Sequence, residues 1–268
     1  MKLLFVDLDE TLLNTDKSIS KENLDAIERM RAAGHGFVIN TGRPLLSAMK
    51  IAKKYGFDKE GCFISAFNGS QIIKADTQET LFKTGVKKEY ARHIFDEAKK
   101  FNIHTHTYTD QFVVSEEKTD MLLKYCRDVD MEYKVVDDAV MFVEGELPKI
   151  ICADLADRDK LEDFKKYIAP YVDGLMYNLF SNPRLLEFGS LKASKGIAIE
   201  ILADELGVDM ADTYGVGDEE NDIEMIKSAG NGFAMINGRD SVKAVADFIT
   251  QKDNNHGAIA WVIDNYIL

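Results

Sequence analysis

The sequence is poor in proline and cysteine and has no long apolar run. Only four prolines and three cysteines occur among its 268 residues. Cys62, Cys126 and Cys152 are widely spaced and form no CxxC pair, which favours free thiols over a disulfide frame or a zinc site. No apolar run approaches the ~20 residues of a membrane span, and the N-terminus shows no signal-peptide pattern. We therefore expect a cytoplasmic protein with no membrane partner.

Basic residues are also in the minority. The 33 Lys and Arg residues against 46 Asp and Glu give a formal net charge of −13, which argues against a nucleic-acid partner because phosphate binding depends on Lys and Arg. Neither a complete dinucleotide fingerprint nor a GxxxxGK[ST] motif occurs, so nucleotide-cofactor chemistry is not expected. An acidic protein with an anionic substrate needs a local positive charge, such as a metal ion.

Several short apolar runs end abruptly in polar residues. Residues 3–6 show no polar alternation, which predicts a strand buried on both faces of a parallel sheet. Similar runs at 36–40, 62–66 and 213–217 are separated by predicted helices at 20–34, 45–55 and 195–206. Strands that alternate with helices predict an α/β fold with a Rossmann-like parallel-sheet core. A later helix near residue 223, a strand at 232–235 and a helix at 257–266 continue this pattern.

The pattern changes from about residue 84. Helical periodicity at 89–101, 120–127 and 158–168 mixes with predicted strands at 103–108, 112–115, 148–154, 175–180 and 184–188. This mixture predicts a separate α+β layer. We therefore expect a discontinuous core domain, 1–83 and 190–268, with an inserted α/β cap domain at 84–189; within the core, residues 71–74 and 80–83 predict a hairpin.

Polar side chains at the ends of separate strands form the candidate site. Ligands of parallel sheets bind at the carboxyl edge, where such residues come together. Carboxylates that converge there are hard oxygen ligands suited to Mg²⁺, and the ion would offset their repulsion while it coordinates a phosphate. The candidates at strand ends, and one lysine that opens a helix, are Asp7, Asp9, Thr41, Arg43, Asp218, Asp222 and Lys195.

Each candidate also has a purely structural interpretation. Asp7 could mark a solvated turn after a core strand, Thr41 could cap a helix, and Arg43 could form a surface salt bridge. His104 and His106 share a strand face and suggest a metal site. Because no third ligand is visible, we favour a role at the cap surface for both histidines.

Four motifs in order resemble those of the haloacid dehalogenase superfamily of phosphatases. The hexapeptide Asp-Leu-Asp-Glu-Thr-Leu from Asp7 resembles the first motif, DxDxT. Thr41 in Thr-Gly-Arg resembles the second motif, and Lys195 in Ser-Lys-Gly resembles the third. We choose Lys195 over Lys192 because a glycine follows Lys195. The segment 217–222 resembles the fourth, with an Asn-Asp ending typical of Cof-type relatives. Those relatives carry an α/β cap between the second and third motifs, as expected here.

The resemblance implies a role for each catalytic residue. Asp7 would be the nucleophile that forms an aspartyl-phosphate. Asp9 would be the general acid and then the general base, and its backbone carbonyl would bind Mg²⁺ together with Asp7 and Asp218. Thr41 would hydrogen-bond the phosphoryl oxygens, and Lys195 would neutralise them and keep Asp7 ionised.

The resemblance also implies residues that bind substrate or support the site. The expected substrate-binding residues are Arg43, Asn68, Gly69 and Asn221. Asp222 would contact phosphate or orient the metal shell and Lys195, Gly42 belongs to the second motif, and the tail at 254–258 also fits the family. Two positions depart from the family pattern: Glu219 adds negative charge where a small residue is usual, and Asn40 replaces a small or apolar one.

These features predict a Mg²⁺-dependent phosphatase that hydrolyses small phosphorylated metabolites, with sugar phosphates as the expected class. Two alternatives stay open at this stage. One is a phosphomutase or phosphotransferase of the same superfamily, in which a sugar hydroxyl accepts the phosphoryl group. The other is a non-catalytic module that binds phosphorylated metabolites, which the full set of catalytic residue types disfavours. The sequence predicts neither the individual substrate nor the oligomeric state.

Overall fold

A computed structural model describes residues 1–268, apart from the side chain of Asn182. The strands in chain order are β1 (Leu3–Val6), β2 (Gly36–Asn40), β3 (Cys62–Ala66), β4 (Gln71–Lys74), β5 (Thr80–Lys83), β6 (His104–Tyr108), β7 (Phe112–Ser115), β8 (Glu132–Val135), β9 (Ile150–Ala153), β10 (Met176–Asn182), β11 (Leu185–Ser190), β12 (Thr213–Gly217), β13 (Asn231–Ala234) and β14 (Phe248–Ile249). The α-helices are α1 (Lys21–Ala32), α2 (Leu45–Tyr55), α3 (Lys88–Lys100), α4 (Asp120–Asp128), α5 (Ala139–Phe142), α6 (Arg158–Val172), α7 (Lys195–Leu206), α8 (Ile223–Ser228), α9 (Asp240–Lys243) and α10 (Ala258–Val262).

The chain divides into two compact units. The first contains residues 1–42, 48–82 and 194–268, and the second contains 43–47 and 83–193. The second unit is therefore made mainly of one long segment that interrupts the first in sequence. The predicted domain boundaries at residues 84 and 189 stay a prediction.

The first unit is built on an eight-stranded sheet in the order β14-β13-β12-β1-β2-β3-β4-β5. The six strands from β14 to β3 are parallel, and β4 pairs antiparallel with β3. Leu3 lies opposite both Gly36 and Thr213 in this register. Because neighbouring strands run in step, the residues that follow β1, β2 and β12 leave the sheet at the same edge.

Helices cover this sheet and bury its apolar side chains. All four residues of β1 are buried, as are all five of β2 and β3. One core cluster joins β1 to α7 and α8 through Leu3, Phe5, Ile199 and Met225. Burial on both faces is the physical reason that these strands show no polar alternation, and it confirms the predicted α/β class with a parallel-sheet core.

The second unit has its own six-stranded sheet, in the order β10-β11-β9-β6-β7-β8. The pairs are antiparallel except for β7 with β8, which are parallel. Its core packs α3 and α6 on one face of the sheet, with Ile94, Phe95, Phe164 and Phe188 among the buried side chains. The cap segment is therefore a mixed α/β layer with a separate hydrophobic core.

Sequence reasoning missed four short elements: β8, α5, α9 and β14. β8 is mostly exposed, and β14 has only two residues, both exposed. The two helices have four residues each. Elements this short bury too few side chains to leave a periodic pattern. Within the part of the chain that the structure describes, no helix is both long and apolar enough to cross a membrane.

Candidate active site

Asp7 is the first residue after the central strand β1. Its amide N–H donates to the carbonyl of Val216 at 3.1 Å, which continues the pairing with β12 by one residue. The side chain is buried. The chain then enters a π-helical turn, Leu8–Leu12, in which Glu10 has left-handed dihedral angles of φ 57° and ψ 10°. This turn redirects the backbone away from the sheet directly after the candidate nucleophile.

Lys195 lies against two carboxylates. Its Nζ is 2.6 Å from an Asp7 oxygen and 2.5 Å from an Asp222 oxygen. Lys195 is 1% exposed. Burial alone lowers the pKa of its ammonium group, but the charges of Asp222 and Asp7 outweigh that effect and raise the pKa above its usual range. The lysine therefore keeps its charge although its side chain is buried. Lys192, the alternative by spacing, is exposed.

A capped helix start holds Lys195 in this place. The Ser194 side chain accepts a hydrogen bond from the Ile197 amide at 3.1 Å, which makes Ser194 the N-cap of α7. Gly69 allows the main chain of Ser194 to come close: a Cβ at Gly69 would lie 2.3 Å from the Ser194 carbonyl oxygen, and the φ of Gly69 is +90°. A side chain at position 69 would therefore displace the start of α7.

Asp218 and Asp222 come from the segment after β12. Asp218 accepts a hydrogen bond from the Thr11 hydroxyl at 2.6 Å. The second oxygen of Asp222 accepts from the amides of Asp218 and Glu219, both at 3.0 Å. A Cβ at Gly217 would lie 2.4 Å from the Asp222 side chain, so glycine is needed where Asp222 folds back over the strand end. Asp222 thus links Lys195 to the Asp218 loop.

The three carboxylates form a cluster that could hold a metal ion. Asp7, Asp218 and Asp222 each offer an oxygen within 4.8 Å of the others. Burial raises the pKa of Asp7 to about 7, against the opposing charge of Lys195. Burial and the negative charge of Asp7 raise the pKa of Asp218 to about 8. Buried carboxylates that repel one another and offer hard oxygen atoms fit a divalent cation such as Mg²⁺.

Asp9 lies in the turn after Asp7, and its side chain is more exposed. The Lys17 Nζ is 3.0 Å from an Asp9 oxygen, and the Asp9 side chain is 39% exposed. Asp9 still acts electrostatically on Asp7, since its negative charge raises the pKa of that carboxyl. The turn therefore gives the two carboxylates different surroundings: Asp7 is enclosed, and Asp9 is within reach of solvent.

The predicted residues Thr41, Gly42, Asn68, Gly69 and Asn221 are also brought together in the first unit. Thr41 follows β2 and is buried, and its carbonyl accepts from the Asn68 amide at 3.0 Å. Asn221 Nδ2 donates to Asn68 Oδ1 at 3.3 Å. A Cβ at Gly42 would lie 2.9 Å from that same oxygen, so glycine leaves room for the Asn68 side chain.

Arg43 groups with the second unit, in the segment 43–47. Its guanidinium donates to the Ser47 hydroxyl at 3.3 Å. Burial raises the pKa of the Tyr125 hydroxyl, and the positive charge of Arg43 opposes that effect. The predicted contact of Arg43 with substrate stays a prediction.

Two departures from the family pattern have structural partners. Glu219 pairs with Arg239, whose Nε is 2.7 Å from both carboxylate oxygens, so the extra negative charge is matched by a positive one. Asn40 is fully buried, and its Nδ2 donates to the carbonyl of Lys195 at 2.9 Å. Sequence reasoning noted both positions but could not identify these partners, which are distant in the chain.

The predicted surface role is wrong for His106, whereas His104 is partly exposed. His106 is fully buried, and burial lowers its pKa well below the usual range. The two rings hydrogen-bond each other at 3.0 Å, and His106 also bonds the Tyr108 hydroxyl at 3.2 Å. Burial lowers the pKa of His104 to about 4. The histidines therefore belong to a neutral hydrogen-bonded chain inside the cap sheet.

Known proteins resemble this chain over almost its whole length. A sequence profile described as haloacid dehalogenase-like hydrolase matches residues 4–263. The chain is 29% identical over 292 residues to the 5-amino-6-(5-phospho-D-ribitylamino)uracil phosphatase YwtE of Bacillus subtilis, covering 100% of this chain and 98% of the relative. It is 28% identical over 283 residues to the phosphatase YwpJ of the same organism, covering 96% and 97%. A crystal structure of a haloacid dehalogenase-like hydrolase from Bacteroides thetaiotaomicron matches with a TM-score of 0.90 and 27% identity, over 98% of each chain.

Proposed function

Because the chain belongs to the haloacid dehalogenase-like hydrolase family and is a phosphoric monoester hydrolase, we propose that it uses Mg²⁺ and an aspartyl-phosphate on Asp7. The observation that carries this proposal is the buried ion-paired chain from Asp7 through Lys195 to Asp222. Asp218 lies beside this chain in the same carboxylate cluster. Hydrolysis of phosphate monoesters requires a positioned nucleophile and positive charge around the phosphoryl group, and these residues supply both.

Asp7 is the proposed nucleophile. One carboxylate oxygen forms a bond to phosphorus while the bond from phosphorus to the leaving oxygen breaks, and the phosphoryl group is transferred to Asp7. Burial raises the pKa of Asp7, and the positive charge of Lys195 opposes that effect and so favours the ionised form that attacks phosphorus. Thr41 is the proposed hydrogen-bond donor to the phosphoryl oxygens, with Asn68, Gly69, Asn221 and Arg43 as further substrate contacts.

Asp9 is the proposed general acid and base. Its carboxyl group gives a proton to the leaving oxygen in the first step. In the second step its carboxylate removes a proton from the water that attacks phosphorus and releases inorganic phosphate from Asp7. The more exposed position of Asp9, at 39% of the side chain, supports a residue that exchanges protons with substrate and water.

Asp7, Asp218 and the backbone carbonyl of Asp9 are the proposed Mg²⁺ ligands. When bound, the ion supplies positive charge that offsets the carboxylates and the phosphate oxygens. We assign Asp222 to an orienting role, because its two oxygens already accept hydrogen bonds from Lys195 and from two amides. Gly42 supports the site by leaving space for Asn68.

The proposed substrates are small phosphorylated metabolites, with sugar phosphates as the leading class. The relative YwtE is a phosphatase of a phosphorylated ribityl compound, which supports a polyol or sugar phosphate as substrate. We also propose a cytoplasmic location, which is supported by three free cysteines, all buried.

The test is the hydrolysis of p-nitrophenyl phosphate and a panel of sugar phosphates, followed as released inorganic phosphate. We expect turnover with Mg²⁺, none in EDTA, and loss of at least about 1,000-fold in Asp7→Asn, because the amide cannot form the covalent intermediate. Mass spectrometry of acid-quenched protein should detect the phosphorylated form in the wild type only.

Two outcomes would contradict the proposal. Turnover that survives EDTA would exclude the Mg²⁺ requirement. An isomeric sugar phosphate in place of inorganic phosphate would identify a phosphomutase, in which a sugar hydroxyl accepts the phosphoryl group from Asp7.

A further inference from the structure

The backbone turn that carries Asp9 has an unusual conformation. Glu10, the next residue, has φ 57° and ψ 10°, in the left-handed region that residues other than glycine rarely occupy. The plane of the peptide between Asp9 and Glu10 depends on the ψ of Asp9 and the φ of Glu10. This plane decides where the Asp9 carbonyl points. Glu10 is held by local contacts from Thr15 and Lys17 and by contacts from distant segments.

Two asparagines from distant segments supply these contacts. Asn237 Nδ2 donates to the Glu10 carbonyl at 2.9 Å. Asn254 Nδ2 donates to a Glu10 carboxylate oxygen and to the Leu13 carbonyl, both at 3.1 Å. Asn254 is 2% exposed, so its donors have little access to water as an alternative partner. We call Asn237 and Asn254 the asparagine clamp.

The two clamp residues are hydrogen-bonded to each other, and the loop of Asn237 is also bonded to the fourth motif. The Asn254 amide donates to Asn237 Oδ1 at 3.3 Å. The loop of Asn237 continues into Arg239, whose amide donates to the carbonyl of Asp218 at 3.0 Å. Between them, a Cβ at Gly238 would lie 3.0 Å from the Asp218 Cα. One loop therefore braces the Asp9–Glu10 turn and the Asp218 segment together.

We propose that Asn237 and Asn254 are positioning residues: they hold Glu10, and through its φ they set the plane of the Asp9–Glu10 peptide, whose carbonyl is a proposed ligand of the metal ion. The proposal rests on the proposed function, in which that carbonyl binds Mg²⁺. Neither asparagine touches the reacting atoms. Their effect is to set the orientation of a ligand, and outer contacts of this kind commonly change metal affinity.

The test is Mg²⁺ binding to the substrate-free protein, measured by isothermal titration calorimetry. In Asn254→Ala and Asn237→Ala we expect the dissociation constant for Mg²⁺ to rise about tenfold. Asn237 is exposed, so its variant provides the measurement if Asn254→Ala does not fold. At saturating Mg²⁺ the KM for p-nitrophenyl phosphate should stay within about twofold of wild type, because neither asparagine contacts the substrate.

Asn231→Ala is the matched control. Asn231 also uses Nδ2 to bond two carbonyls, those of Ala211 and Thr213, at 3.0 and 3.3 Å. It begins β13 and so lies at the opposite edge of the sheet from the carboxylates. Its loss should leave Mg²⁺ affinity unchanged.

Wild-type affinity in both clamp variants would overturn the clamp proposal and leave the proposed function standing. An equal loss in Asn231→Ala would also overturn it, because the effect would then be general destabilisation. A wild-type protein that binds no Mg²⁺ would overturn the proposed function together with the clamp.

Discussion

Asp222 connects Lys195 to the loop that carries Asp218. It is fully buried, and its two oxygens receive one ammonium group and two amide donors. Its negative charge also raises the pKa of Asp7 and Asp218. Removing it would relieve that repulsion but leave Lys195 with fewer partners and two amides without their acceptor. Hydrogen bonds to charged groups contribute about 1.5–3 kcal/mol each, so we expect the lost contacts to dominate.

We therefore expect Asp222→Ala to lower the free energy of unfolding by about 2 kcal/mol and kcat by about 100-fold. Urea unfolding in Mg²⁺ buffer and phosphate release would measure the two effects. Glu220→Ala is the control, because Glu220 is an exposed carboxylate in the same turn, and it should change stability by less than about 0.5 kcal/mol. Equal effects of both variants would refute the orienting role of Asp222.

At the scale of elements, the site depends on how closely the start of α7 approaches the turn after β3. Phe67 and Asn68 have positive φ values of 52° and 55°, and Gly69 follows at +90°. This run of left-handed residues turns the chain under Ser194, the N-cap of α7. The position of Lys195 therefore depends on a loop that is more than a hundred residues away in sequence.

The close approach predicts different outcomes for two glycine substitutions. Gly34→Ala introduces a side chain at φ +87° with nothing within 4 Å, so it should cost only the backbone strain of about 1–2 kcal/mol. Gly69→Ala adds a clash with the Ser194 carbonyl, and we expect a further loss of about 1–3 kcal/mol. Thermal unfolding would measure both.

Activity separates the two glycine variants more clearly. Gly69→Ala should reduce kcat, because the clash displaces Lys195, whereas Gly34→Ala should keep wild-type kcat at temperatures where it is folded. Equal kcat values in the two variants would contradict the role given to Gly69.

At the scale of the whole molecule, stability should depend on pH and Mg²⁺ together. Asp7 and Asp218 have folded-state pKa values of about 7 and about 8, raised from 3.8 by burial. The folded protein thus binds these protons more tightly than the unfolded chain does. Their stabilising contribution is present at low pH and is lost as pH rises through about 7 to 8.

We accordingly expect the melting temperature in EDTA to fall between pH 5.5 and pH 8. Mg²⁺ competes with protons for the same oxygens, so the increase in melting temperature caused by Mg²⁺ should be larger at pH 8. Differential scanning fluorimetry at both pH values would measure this increase. Asp218→Asn, which removes one titrating ligand, should weaken the pH dependence. An increase in melting temperature that is the same at both pH values would contradict the assignment.

The strands of the core and the residues at their ends could be predicted from the amino-acid sequence. β1, β2, β3 and β12 were predictable because burial on both faces requires uninterrupted apolar runs, and each run stops where the chain reaches the sheet edge. The sequence also identified the catalytic candidates, because they lie in motifs that resemble those of the superfamily: Asp7, Thr41, Lys195 and Asp218. Their roles in catalysis stay proposals.

The side chains that support these residues could be identified only once the fold was known. The bond from Asn40 to the Lys195 carbonyl, the pairing of Glu219 with Arg239, and the bond from Asn254 to Glu10 all join distant parts of the chain. The identity of a single residue does not reveal its contact partner, because the packing of whole helices and strands determines which residues meet. For the same reason the buried position of His106 was missed: strand alternation predicts a shared face but not what covers it.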